Sequence, residues 1–382
     1  MENRNEFQIC TNCVMDTTDP GITFDENGVC DHCHDFSNNV KPNWHTDYRG
    51  EQALSKTMDK IKANGKGKDF DCLLGISGGV DSSYMLHLAV KKFGLRPLVF
   101  HVDGGWNSEL AVHNINVMID KLGLDLYTEV INWEEMKDFQ LAFFKSGVPH
   151  IDIPQDHAFV ATLYKFAEKY KIKYILNGGN FATECVQYPM EWFYYGTDMA
   201  HNNDIRSKFG TIKMETYPFS SILRHKIYLK YFKGVKVIKP LNNMPLIKED
   251  ALSLLENEYG WKPYPQKHYE SRFTKFYEGY WLPERFGYDT RKVQYSSLIL
   301  TGQLTREEAL EKIKKPSYDP ATIEDEFNYI ATKLGITSEE LRNYYTMHKK
   351  FYWDYKNQQN IFRLGAKVLH LLGVEKVKKR KK

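Results

Sequence analysis

Ser77-Gly78-Gly79-Val80-Asp81-Ser82-Ser83 follows the apolar run Phe70 to Ile76 and precedes the helix-like run Tyr84 to Phe93. A strand, a glycine-rich turn and a helix start, in that order, build a cradle for an anion. The glycines let backbone N–H groups turn toward an oxyanion, and the helix N-terminus adds partial positive charge. Ser77, Ser82 and Ser83 add hydroxyl donors. No Gly-Lys-Ser/Thr ending follows, so no loop lysine reaches a β- or γ-phosphate as in the common nucleotide loop. Asp81 inside the loop would repel phosphate unless it caps the helix or holds a metal. The bland alternative is a Ser/Gly-rich turn that binds nothing.

Working outward, apolar strand patterns alternate with helical ones. Cys72 to Ile76, Pro97 to Val102, Leu126 to Ile131, Tyr174 to Asn177 and Val235 to Lys239 read as five strands. Helical spacing marks Gln52 to Ala63, Ala111 to Leu122 and Ala158 to Tyr170. Such alternation predicts an α/β fold, a parallel five-stranded sheet with helices on both faces. Ligands in these sheets sit beyond the C-terminal strand ends, where the Ser77 loop falls. The order Ser-Gly-Gly-x-Asp-Ser-Ser in this context resembles the PP-loop of ATP pyrophosphatases, the adenine nucleotide alpha hydrolase-like type. Those enzymes cut ATP between its α- and β-phosphates, adenylate a carbonyl-type oxygen and release pyrophosphate.

Four of the six cysteines form two Cys-x-x-Cys pairs, Cys10/Cys13 and Cys30/Cys33, with sixteen residues between them. That is the spacing of a four-thiolate structural zinc site. Ile22 to Val29 reads as a hairpin with an Asn27-Gly28 turn that returns the second pair to the first. So short and polar a segment has no core of its own, and a metal would hold it together. Two disulfides and an iron–sulfur cluster are the competing readings. His32 and His34 could substitute as ligands but read as exposed loop residues. The expected organisation is a zinc module over 1–45, the loop-bearing domain over 46–265, and a mostly helical region over 266–382. In the last region Thr305 to Lys314, Thr322 to Leu334 and Ser338 to Tyr355 have helical spacing.

The chain of 382 residues can bury a large core, and its 25 Tyr and 22 Phe predict extensive packed surface. A net charge of +3 gives no general reason to expect nucleic acid. No apolar run is long enough for a membrane span, and Met-Glu-Asn-Arg-Asn-Glu at the start has no signal-peptide pattern, so a cytoplasmic location is expected. The tail Lys376 to Lys382 is almost all Lys/Arg; it reads as a solvated end or as a weak contact with anionic lipid.

The PP-loop resemblance implies further roles. Ser77, Gly78, Gly79, Asp81, Ser82 and Ser83 would bind ATP and its pyrophosphate. The second strand end, Asp103-Gly104-Gly105, would lie beside adenine and ribose. The fourth, with Gly178 and then Glu184, would bind ATP and supply a carboxylate for magnesium. Lys239-Pro240-Leu241 to Lys248-Glu249-Asp250 resembles a later segment whose lysine faces the phosphates. Asp81 and Lys248 are thereby the expected catalytic residues.

Four stretches together are similar to the N-acetyl sugar amidotransferases of lipopolysaccharide O-antigen and nonulosonic acid pathways. They are Cys10 to Pro20, the PP-loop, His268 to Tyr277, and Leu282 to Asp289. That family converts a sugar acetamido group to an acetamidino group. It uses ATP, magnesium and ammonia, the last supplied by a histidine-biosynthesis-like glutaminase with a cyclase-like subunit. The chemistry suits an amide, whose oxygen is a poor leaving group until adenylated. Neither Cys72 nor Cys185 lies in a nucleophile elbow, so ammonia is expected from another chain. Trp192, His268, Arg272 and Arg285 are the candidates for sugar, nucleobase or diphosphate recognition, with core packing as the other reading of the aromatic cluster. The rival function is tRNA thiolation, in which Cys185 would be the cysteine available for sulfur transfer. A zinc-containing partner that only binds ATP is a third reading.

Overall fold

The computed structural model describes residues 6–371; the basic tail Lys376 to Lys382 lies outside them. Five strands, β1 (Cys72–Gly75), β2 (Pro97–Asp103), β3 (Leu126–Val130), β4 (Tyr174–Leu176) and β5 (Lys236–Ile238), form one sheet in the order β3-β2-β1-β4-β5. Every neighbouring pair is parallel, with Leu73 opposite Leu98 and Ile175, and Leu176 opposite Ile238. The order reverses direction at β1, so the crevice at a switch point opens where β1 and β4 end.

Strand side chains alternate between two cores, as the pleat requires. Cys72, Leu74 and Val99 point into one, against Leu54, Met58 and Ile61 of helix Tyr48–Gly65, Ile115 and Met118 of Glu109–Leu122, and Leu255 of Lys248–Tyr259. Leu73, Leu98, Phe100 and Val102 point into the other, with Phe139 and Phe143 of helix Trp133–Ser146 and Phe166 of Ile153–Lys169. The second core continues without a break into the cysteine module and the aromatic C-terminal region. Among the described residues no helix is long and apolar enough to cross a membrane.

Three helices begin earlier than the apolar pattern predicts, two of them because a polar residue caps them. Asp47 accepts from the Arg49 N–H, so the first long helix starts at Tyr48 rather than Gln52. Ser108 caps the helix at Glu109. Val80 to Ser83 form the first turn of the helix expected at Tyr84, so the PP-loop is partly helix. The helix expected over Ser338 to Tyr355 ends at Thr346. Its continuation is pulled onto other elements: the Lys350 N–H donates to the Gly147 carbonyl, and Arg285 takes the Met347 carbonyl.

The cysteine module docks on this helical region. The Arg306 guanidinium donates to the carbonyls of Cys10 and Cys13, the Val14 N–H donates to Ser296 Oγ, and Trp192 Nε1 donates to the Thr18 carbonyl. Trp192 is fully buried and stacked on Tyr288, so it packs the core rather than a sugar. Arg285 is likewise buried. It donates to the carbonyls of Tyr344, Tyr345 and Met347 and so closes the end of a helix. Removing it strands three carbonyls. Arg285→Ala is expected to lower unfolding free energy by about 2–3 kcal/mol, measured by urea denaturation.

Candidate active site

The loop after β1 owes its orientation to one carbonyl. Gly78 has φ +86°, and its C=O accepts from Trp261 Nε1 (3.0 Å), Tyr264 Oη (3.2 Å) and Asn114 Nδ2 (3.4 Å). A Cβ at Gly78 would fall 2.8 Å from the Ala111 carbonyl, so both φ and space demand glycine. With that carbonyl held outward, the loop presents Ser77, Gly79, Asp81 and Ser82 to a cavity of about 440 Å³. Ser77 Oγ and Ser82 Oγ lie 3.2 Å apart, and the N–H groups of Val80, Asp81 and Ser82 precede the first helical bond, which the Ser83 N–H makes to the Gly79 carbonyl. Ser83 is fully buried and does not reach the cavity, a correction to its expected hydroxyl contact with ATP.

The fourth strand's loop is pressed onto this turn. A Cβ at Gly178 would lie 2.5 Å from the Asp81 carbonyl oxygen, so only glycine permits the approach. Asn180 then caps the short helix Phe181–Glu184 through Oδ1 while its Nδ2 donates to Asp81 Oδ1 (3.1 Å). Glu184 is thereby set on the cavity wall, as is Lys248 at the start of its helix, where its N–H donates to Gln303 Oε1 (2.8 Å).

The second strand's end departs from expectation. Asp103 Oδ1 accepts from the Gly105 N–H (2.8 Å), and Asp103 does not line the cavity. Gly105 abuts the Trp133 ring, 2.7 Å from a would-be Cβ, and Gly104 faces Gln155 and Met136, so the glycine pair packs against side chains rather than leaving room for a base. The cavity is lined instead by Phe100, His101 and Val102 from β2. His101 is fixed there, with Nδ1 at 2.9 Å from the Ile76 carbonyl and Nε2 at 2.9 Å from Asn107 Nδ2.

A wall that strand patterning did not reveal comes from 264–271. This segment is stitched to the loop after β2: Asn107 pairs antiparallel with Ser271, the Ser108 N–H donates to the Glu270 carbonyl, and the Arg272 N–H to the Trp106 carbonyl. His268 adopts φ +67°, a left-handed conformation uncommon outside glycine, and Lys267, His268 and Glu270 all line the cavity. Lys267 Nζ bridges Asp81 Oδ2 (3.0 Å) and Glu184 Oε1 (2.6 Å). Burial works against this ammonium, but the two carboxylates outweigh it and hold it well above the ordinary lysine range. Burial likewise opposes the Glu184 carboxylate, and Lys267 outweighs it and keeps its pKa low. Lys248 moves the other way, lowered first by burial and then by repulsion from Lys267. Burial raises Glu270, whose Oε1 lies against Gly79.

Of the proposed recognition residues, only His268 reaches this cavity. Arg272 pairs with Glu326 (2.9 Å) and stacks 3.4 Å above the Tyr329 ring centroid, a structural position away from the cavity. Lys267 and Glu270 were missed although they border and lie within the quoted His268 to Tyr277 stretch; only the pairing with the β2 loop turns them inward. The expected boundary between 265 and 266 runs through the cavity wall.

The four cysteines converge at the far end of the chain. Sγ separations are 3.8 Å for Cys10–Cys33, 3.6 Å for Cys13–Cys30 and 3.7 Å for Cys30–Cys33. A tetrahedral ion with bonds of about 2.3 Å to sulfur sets its ligands about 3.8 Å apart, so the donor set fits zinc. The N–H groups of Asn12, Cys13 and Cys30 point at Cys10 Sγ, and Asn12 Nδ2 at Cys33 Sγ, as expected around thiolates. The intervening hairpin is reduced to a turn at Gly28 (φ +76°) with a single Phe24–Cys30 bridge. His34 is exposed, but His32 is buried on Asp19 (2.8 Å), contrary to its reading as a surface residue.

Fold and loop together give an α/β protein with a five-stranded parallel sheet and a glycine-rich loop that resembles the PP-loop. Residues 270–369 match the family model described as "LPS biosynthesis protein WbpG-like, C-terminal domain". No curated protein matches the chain. Among solved structures, NMN synthetase from Francisella tularensis is 17% identical, with 59% of this chain and 93% of that chain covered and a TM-score of 0.28. The NH3-dependent NAD synthetase from Campylobacter jejuni is 14% identical, covering 79% of this chain and 99% of its own, with a TM-score of 0.30. Likenesses this distant do not bear on the reaction.

Metal analysis of the purified protein is expected to return one zinc per chain, lost together with thermal stability in Cys13→Ser; iron with sulfide would refute the zinc assignment. A second expectation concerns His268, whose Nδ1 lies 2.9 Å from Glu278 Oε1. Burial alone would depress it, but Glu278 outweighs burial and brings it up to about 9. A folded pKa above the unfolded value of about 6.5 contributes stability that is complete below that pH and lost as pH rises through 9. The gap in urea midpoint between wild type and His268→Gln should therefore close from pH 6 to pH 9.5, and a constant gap would disprove the ion pair.

Proposed function

We propose that this protein is an ATP-dependent, AMP-forming carbon–nitrogen ligase of surface polysaccharide biosynthesis, converting a sugar acetamido group to an acetamidino group. The observation that carries the reading is the single cavity in which the PP-loop's helix start, Lys248 and the Asp81–Lys267–Glu184 cluster meet. The WbpG-like segment, from a family described by lipopolysaccharide biosynthesis, supplies the pathway.

In the first step the acetamido oxygen attacks the α-phosphorus of ATP. A new O–P bond forms, the α–β bridging bond breaks, and pyrophosphate leaves with its electron pair. Ser77, Ser82 and the first-turn N–H groups hold that leaving group, and Lys248 and Lys267 offset its growing charge. Asp81 and Glu184 would hold a magnesium ion, whose charge would neutralise the polyphosphate. In the second step ammonia forms a bond to the carbon of the O-adenylyl imidium, whose nitrogen has kept the amide proton. AMP departs with the C–O electrons, and the incoming nitrogen sheds one proton to leave the amidinium. Glu270, with its pKa raised by burial, is suited to receive it.

Ammonia is proposed to come from a separate glutaminase with a cyclase-like subunit. Cys72 and Cys185 are both buried, with burial pushing the Cys72 thiol up and the Cys185 thiol to about 12, so neither is a ready nucleophile. The same burial argues against thiolation through Cys185, whose Sγ donates to the Ser297 carbonyl (3.7 Å).

The test supplies the protein with Mg-ATP, ammonium and a UDP-linked diacetamido uronic acid, followed by mass spectrometry. Sugar-dependent AMP and a product with NH in place of one oxygen are expected, and Lys248→Ala should lower turnover by about a hundredfold or more. AMP formed only with tRNA and a sulfur donor would overturn the proposal in favour of thiolation.

A further inference from the structure

Two surface segments contain no acidic residue. Thr216 to Lys248 carries seven Lys/Arg and no Asp or Glu, and Tyr355 to Leu371 likewise has none. In the first, the helical stretch Arg224–Phe232 exposes Ile227, Tyr231 and Phe232, the last at 77%, flanked by exposed Leu223 and by Val237 on edge strand β5. Lys230 Nζ lies 5.1 Å from the Tyr231 ring centroid and Lys233 Nζ 5.5 Å from that of Tyr228, so lysine stems run along aromatic faces. Glu168 engages Arg224 and Lys233, which leaves Lys230 and Lys236 exposed. In the second, helix Gln359–Leu371 exposes Ile361 and Leu364.

The two are joined through one buried histidine on helix Ile153–Lys169. Phe362 packs on Tyr195 (5.0 Å between centroids). The carbonyl of the next residue, Gly196, lies 2.8 Å from His157 Nδ1, and His157 Nε2 accepts from the Ser220 N–H (3.0 Å) at the head of the first segment. The same flank thus presents exposed aromatic and aliphatic side chains among lysines. Protein interfaces favour Arg and are depleted of Lys. Aromatic and aliphatic side chains ringed by Lys, with the neighbouring Glu168 already paired to Arg224 and Lys233, are the composition of an interfacial membrane anchor.

We propose that this flank docks on an anionic phospholipid bilayer. Leu223, Tyr231 and Phe232 enter the boundary between headgroups and acyl chains, and Lys230 and Lys236 meet the headgroup phosphates. The proposal stands apart from the reaction. Flotation of the full chain with vesicles tests it. Binding is expected to phosphatidylcholine mixed with phosphatidylglycerol, weakening as salt rises, and not to phosphatidylcholine alone. Tyr231→Ser with Phe232→Ser should reduce partitioning at least about tenfold without lowering the melting temperature, because both rings are exposed. No flotation overturns the proposal, as does flotation that the double variant leaves unchanged. A concentration-dependent dimer without vesicles, abolished by the double variant, would assign the face to a second copy of the chain and overturn it as well.

Discussion

The carbonyl of Gly78 decides which way the phosphate loop faces. Three donors from outside the loop, Trp261, Tyr264 and Asn114, hold it away from the cavity, and only a residue without Cβ can take the required φ in the space beside Ala111. Were that peptide to rotate, a carbonyl dipole would turn into the cavity and oppose any anion there. Gly178 imposes the second spacing. Its contact with the Asp81 backbone brings the β4 loop, and with it Asn180 and Glu184, to the PP-loop.

Charge within the cavity is organised around Lys267. Its ammonium lies between Asp81 and Glu184, so two carboxylates beside an anion cradle are stabilised rather than left to repel one another. Lys248, on the opposite element, feels that same cation and is weakened by it. The wall carrying Lys267, His268 and Glu270 is held to the loop after β2 by one antiparallel bridge and two backbone hydrogen bonds. The helical C-terminal region therefore completes the cavity wall rather than merely following it. The cysteine module is tied to that region in turn, through Arg306 on its knuckle carbonyls and Trp192 stacked on Tyr288.

The sequence alone determined the sheet, the loop and the four-cysteine cluster. Each is written in local signals: apolar runs bounded by turns, two glycines before a helix start, and cysteine pairs at knuckle spacing. The positions of Ser77, Asp81, Glu184 and Lys248 on one cavity follow from those signals because C-terminal strand ends share one edge of a parallel sheet. Tertiary structure decided which polar and aromatic residues face that cavity. Trp192, Arg272 and Arg285 have the side chains of a recognition site, yet their neighbours engage them in the core or in helix closure. Asp103 turned to its own loop, and Lys267 and Glu270 turned inward. Facing depends on partners more than a hundred residues away, such as Asn107 opposite Ser271, and no local period encodes such a pairing.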